Sequence, residues 1–190
     1  MKTLSHLVGG AQAIVEVEYY RAVHGSTHAF WPGPESIPSP RSRSRPMPAN
    51  KQEIVAFMAA EFPQSKCAVE AVGDGGATVS RNIGSGELRP GGTVSGPVLM
   101  SVADVALYVA ILAEIGIVPL AVTTSLTINF MRKPLAKHRI IGECKLLKVG
   151  RALAVGEVLL YSEGSREPVA HVVGTYSIPS GRQGQGAGTA

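Results

Sequence analysis

The stretch SGPVLMSVADVALYVAILAEIG, Ser95–Gly116, is almost wholly apolar yet carries Asp104 near its middle. Its reading decides the fold. A membrane span needs about 20 apolar residues, and the stretch approaches that length. An acid at the centre of a span, however, costs about 2.5–3.5 kcal/mol on insertion scales. Ser101 and Glu114 weaken the span further, and a run of strand-like segments follows. The stretch therefore reads as a helix from about 97 to 115, ended by Gly116 and Pro119. A helix that is apolar on every side is enclosed by protein.

Outward from this helix the period changes to two. In TTSLTINFMR, residues 123–132, Leu126, Ile128 and Phe130 share one face and Ser125, Thr127 and Asn129 the other. Residues 138–150, 151–164 and 167–179 read as three further strands joined by short glycine-containing turns. Upstream, Asn50 and Glu53 have capping-box spacing. Ile54, Met58 and Phe62 then fall on one helical face, and Pro63 stops that helix. Residues 66–84 read as a hairpin around Asp74-Gly75-Gly76. The order is helix, hairpin, long helix, four strands: an α+β chain with an antiparallel sheet. Five or six strands wrapped around one long helix make a hotdog fold.

The chain has 190 residues, 45% of them hydrophobic, enough for one domain with a core. Its net charge of +4 favours anionic partners, which include phosphorylated small molecules as well as nucleic acid. Cys67 and Cys144 lack CxxC partners, which argues against a disulfide scaffold or zinc ribbon and for a reducing cytoplasm. No secretory signal pattern opens the chain. Residues 32–48 are rich in proline, serine and arginine and read as a solvated linker. Residues 1–48 are expected to be an atypical or disordered extension, 49–180 the folded domain and 181–190 a flexible tail. RNA binding through the RSRSR run, residues 41–45, is the weaker reading of that segment. No nucleic-acid partner, metal or resident cofactor is expected.

SGPVLMSVADVALYVA resembles the helix-start motif of hotdog acyl-CoA thioesterases, in particular the phenylacetic-acid-degradation (PaaI-like) group. TTSLTINFMRKPL resembles the group's central strand, and residues 146–178 its last three strands. The group shows His-Gly-Gly with an acid nine residues after the histidine. Here Ser95-Gly96-Pro97 occupies that place and Asp104 lies nine residues after Ser95. The resemblance implies that Asp104 acts as general base or nucleophile and that the Gly96 amide holds the oxyanion. It also implies that the acid comes from the other subunit of a homodimer or dimer of dimers. Thr123 falls where relatives place a hydroxyl that orients the acid, with Thr124 as the neighbouring alternative. Arg89 falls where they carry Asn or Gln, so Arg89, Ser95 and Pro97 are departures around the substrate.

Helix physics supports the glycine. A helix N-terminus presents free N–H groups and a positive dipole end. Pro97 has no N–H, and Gly96 has no side chain to block a carbonyl. For Asp104, the plainer alternative is a buried acid bonded to Ser101 or to backbone. Arg132, Lys133 and Arg151 are candidate partners for the phosphates of coenzyme A, which enters only as part of the substrate. The aromatic content is only 5%, so few rings are expected to line an acyl tunnel, which favours an aliphatic group. Two rival functions remain: a non-catalytic acyl-CoA-binding regulator, and a hotdog hydratase or dehydratase. The latter pairs its acid with a nearby histidine, and none follows Asp104 in this helix.

Overall fold

The computed structural model describes residues 48–179. The expectations for residues 1–47 and for the tail from 180 lie outside the described residues. Helix α1 (Lys51–Glu61) opens with the expected capping box. Asn50 Oδ1 accepts the Glu53 N–H at 3.0 Å, and Glu53 Oε2 accepts the Asn50 N–H at 2.8 Å. Ile54 and Met58 are its buried face, and Phe62 closes it ahead of Pro63. Strands β1 (Cys67–Gly73) and β2 (Gly76–Arg81) form the hairpin. Asp74 and Gly75 take positive φ values of 51° and 69° at its tip. A two-residue ribbon, β3 (Leu88–Arg89) and β4 (Thr93–Val94), leads into α2 (Gly96–Ile115). Strands β5 (Val122–Phe130), β6 (Ile140–Val149), β7 (Leu153–Ser162) and β8 (Pro168–Ser177) follow.

Six strands make one antiparallel sheet in the order β1-β2-β6-β7-β8-β5. Its inner face packs on α2, which buries twelve of its twenty residues. This is the hotdog arrangement. By length and mean hydropathy (2.1) α2 passes for a membrane span, but 72% of that window is buried inside the fold. Two cross-strand glycines let it lie close. Gly156 on β7 faces Gly174 on β8, and a Cβ on either would come within 2.7 or 2.5 Å of a Leu107 methyl. Leu107 thus fills the groove that the paired glycines leave.

Strand β5 follows α2 in sequence but sits at the sheet edge beside β8. Its register with β8 shifts between Thr123 and Ser125, a β-bulge at Thr124. A bulge inserts one residue and reverses the alternation beyond it. Leu126 and Phe130 point inward, against Gly174 with Leu107 and against Gly96 respectively. Strict alternation would turn Thr124 inward with them; the bulge turns Thr123 inward instead.

Candidate active site

The bulge decides between the two threonines. Thr123 Oγ1 donates to Asp104 Oδ1 at 2.6 Å, whereas Thr124 Oγ1 donates to the Thr175 carbonyl at 3.1 Å. Asp104 is therefore not bonded to Ser101, which instead accepts from Arg81 Nη1 at 3.3 Å. A second group on Asp104 escaped the sequence reading. The Tyr176 hydroxyl lies 2.7 Å from Asp104 Oδ1 and 3.1 Å from its backbone carbonyl. Tyr176 is 3% exposed, and its ring stacks on Tyr108 at a centroid distance of 6.1 Å. Burial first, then the Asp104 charge, raise its phenol far above the usual tyrosine range, so it stays a proton donor. The available signal was inward alternation: Val172, Gly174 and Tyr176 share a face of β8, and an inward phenol needs a partner.

Asp104, Thr123 and Tyr176 border a cavity of about 380 Å³. Phe57, Phe62 and Tyr108 line it as well, with Glu61 at the same opening. Tyr108 meets Phe57 at 6.3 Å and Phe62 at 6.5 Å between ring centroids. The expectation of few aromatics is thus corrected: four rings from α1, α2, β8 and the residue after α1 gather beside the acid. They are far apart in sequence, so no local pattern announced them.

Gly96 lies elsewhere. It is the first residue of α2, so its N–H has no carbonyl one turn earlier inside the helix. Eight residues of helix separate it from Asp104, about 12 Å along the axis. Phe130 covers it, and a Cβ there would stand 3.2 Å from Phe130 Cζ. Ser95 makes no side-chain cap, and Pro97 is exposed in the first turn. Arg89 is exposed on β3. The entry to the helix is anchored by Glu87. Its carbonyl accepts the Ser95 N–H at 3.0 Å, and its carboxylate accepts from Gly84 N–H at 3.0 Å and from Arg81 at 3.3 Å. These bonds, the Gly84 N–H first, hold the Glu87 carboxyl below its usual range.

The cationic candidates divide. Arg132 and Lys133 follow Phe130 and so lie toward the Gly96 end of the sheet. Arg132 pairs with Glu167 at 3.2 Å, both exposed. Arg151 precedes Leu153, which with Val122 flanks Ser177. It therefore belongs to the other end of β5, about eight residues or 26 Å away. One chain does not bring Arg151 to Arg132 and Lys133.

Known proteins bear out the class that this fold defines. A model described as the thioesterase superfamily matches residues 91–169. A candidate thioesterase of Silicibacter sp. TM1040 is 42% identical, with a TM-score of 0.66 over 72% of this chain and 97% of that one. The chain belongs to the thioesterase superfamily. A variant of the phenylacetic acid degradation protein PaaI from Thermus thermophilus is 26% identical, with a TM-score of 0.54 over 65% and 99% of the two chains. A hypothetical thioesterase from Streptococcus pneumoniae, solved with coenzyme A, shares the fold. It is 19% identical, with a TM-score of 0.51 over 60% and 85% of the two chains. No curated protein matches this chain significantly.

Proposed function

We propose that the protein is a PaaI-like acyl-CoA thioesterase, acting in the cytoplasm as a homodimer or dimer of dimers through its 49–180 domain. The observation that carries the reading is the hydroxyl-held Asp104 bordering an open cavity lined by aromatic rings. The free thiols Cys67 and Cys144 fit a reducing compartment; burial pushes them up to about 11 and about 12, so both are inert. Asp104 acts on the thioester carbonyl, either by drawing a proton from the attacking water or by direct attack. The carbonyl oxygen gains negative charge, which a helix N-terminal amide at Gly96 stabilises. Collapse of the tetrahedral intermediate breaks the C–S bond. Coenzyme A leaves as thiolate. On the water route it takes up the proton drawn from water, and the free acid is released directly. On the direct route a water then cleaves the acyl–Asp104 anhydride, releasing the acid, restoring the carboxylate and supplying the thiol proton. Arg132 and Lys133 are the proposed phosphate partners, and Arg89, Ser95 and Pro97 border the entering thioester. Thr124 serves the bulge rather than the substrate.

The 12 Å gap argues that one chain does not supply both groups. Strand β5 offers a way to close it. Pairing β5 antiparallel with a second copy about a two-fold axis near Leu126 sets the Thr123 end of one strand against the Phe130 end of the other. Because Phe130 lies on Gly96 and Thr123 holds Asp104, the pairing brings Asp104 of one chain toward Gly96 of the other. It also carries Arg151 toward the partner's Arg132.

The test is a hydrolysis screen over short, medium, long and aryl acyl-CoAs, with released thiol as readout. The rings beside Asp104 now favour flat or compact acyl groups over the aliphatic chains expected from composition. Asp104→Asn is expected to lower kcat about 10²–10⁴-fold and leave the fold intact. Activity within threefold of wild type would remove Asp104 from the chemistry. Absence of turnover on any thioester would favour the binding-only rival. Mixing Asp104→Asn with Gly96→Val should return about a quarter of wild-type activity, because half of randomly exchanged dimers are mixed and each keeps one intact site. No recovery despite subunit exchange would place both groups in one chain.

A further inference from the structure

We propose that Tyr176 is a positioning residue that, together with Thr123, reserves one oxygen of the Asp104 carboxylate for holding and leaves the other for chemistry. The inference rests on Asp104 as the acting acid and adds to that reading a residue and an atom. Thr123 and Tyr176 are direct cross-strand partners on β5 and β8, so their side chains rise from the same face of the sheet. Both reach the same atom: Oδ1 accepts from Thr123 at 2.6 Å and from Tyr176 at 2.7 Å. Among the described residues, Oδ2 receives no hydrogen bond. Tyr176 has one proton to give, and the charged Oδ1 is a closer and stronger acceptor than the Asp104 carbonyl at 3.1 Å.

Two donors on one oxygen draw carboxylate charge toward it and stop the group from rotating about its terminal bond. Oδ2 is thereby presented to the cavity as the proton acceptor or nucleophile. The two holders differ in rigidity. Thr123 stands on an exposed edge strand; Tyr176 is buried and stacked on Tyr108. Tyr176 is thus the fixed reference against which the carboxylate is set. The Thr124 bulge gives the pair its shared aim, since strict alternation would turn Thr123 away from its partner.

Tyr176→Phe keeps the ring and the stack and removes one hydroxyl. The expected result is a fall in kcat of about tenfold or more, with KM within twofold, as misorientation of a reacting group predicts. The double variant Tyr176→Phe/Thr123→Val should lose more than the product of the two single losses, because either hydroxyl alone still restrains the carboxylate. An infrared measurement reads the geometry without turnover. The Asp104 carboxylate bands are isolated by subtracting the spectrum of Asp104→Asn in each background. Donors on one oxygen make the two C–O bonds unequal and widen the separation of the antisymmetric and symmetric stretches, so Tyr176→Phe should narrow it. A folded Tyr176→Phe protein with an unchanged separation overturns the proposal, as does a kcat within twofold of wild type. If the wild-type chain hydrolyses no thioester, the functional reading fails, and the infrared separation alone decides the role of Tyr176.

Discussion

The two edges of the sheet are built in opposite ways. At one edge, β1 is bulged at Glu70 and carries that acid in its middle. Lys51 of α1 donates to the Glu70 carbonyl at 2.6 Å, which occupies a backbone acceptor that a foreign strand would need. Arg139 binds Glu70 and Glu163 from outside and touches Ser80 of β2. At the other edge, β5 reads VTTSLTINF with no charged side chain over its length. Val122 and Phe130 at its two ends are 55% and 56% exposed. Protected edges use bulges, charges and covering elements, and β1 has all three. Strand β5 is bulged only where the bulge aims Thr123 at Asp104. An edge left open directly behind the candidate site fits one that a second copy completes.

The sharpest way to break this contrast is to give β5 what β1 has. Ser125 and Thr127 flank the proposed two-fold axis on the outer face. Ser125→Lys/Thr127→Lys would set the new cation at position 125 of one strand against the one at position 127 of the other. The expected outcome in analytical ultracentrifugation is a monomer, with thioesterase activity down at least about 100-fold through loss of the partner's oxyanion donor. The matching change on the covered edge, Ala71→Lys, should leave both assembly and turnover unchanged. A monomeric Ser125→Lys/Thr127→Lys protein with full activity would show that one chain suffices.

A second variant treats both edges alike. Leu107 lies over the Gly156–Gly174 groove at the sheet centre and is fully buried. Leu107→Ala should cost about 2–5 kcal/mol in denaturant unfolding, since the glycines opposite have no side chains to fill the void. Hydrogen exchange in β1 and β5 should rise together. A rise confined to β5 would mean that the open edge unfolds on its own.

Much of this was legible in sequence, for identifiable reasons. An acid inside a helix apolar all round has few explanations, and the strands that follow select the enclosed one. Asn50, Pro63 and Asp74-Gly75 act through local backbone chemistry, so they could be read locally. The choice between Thr123 and Thr124 could not, because one inserted residue in a strand leaves no mark on composition. The aromatic cavity was also hidden: Phe57, Phe62, Tyr108 and Tyr176 meet only after α1 folds over α2 and β8 packs beneath it. The separation of Arg151 from Arg132 depends on strand register, which turns at both ends of β7 jointly determine.

The smallest expected effect tests the polar stitching of the covered edge. The Ser80 hydroxyl first, then Arg139, hold the Glu70 carboxyl below its ordinary value of 4.5; Arg139 does the same to Glu163. A carboxyl whose folded pKa is lowered adds stability above its unfolded value and loses that stability as pH falls through the folded one. Arg139→Met removes the shared partner but leaves Ser80 on Glu70. The variant should therefore melt a few degrees below wild type at pH 7, and the difference should close as pH drops below about 4.5 and the carboxyls take up protons. Both acids face solvent, so added salt should shrink the difference as well. Dimerisation through β5 should be untouched across the same titration. If acidification or Arg139→Met splits the dimer, the charged network reaches the far edge, and the division between a sealed edge and a docking edge does not hold.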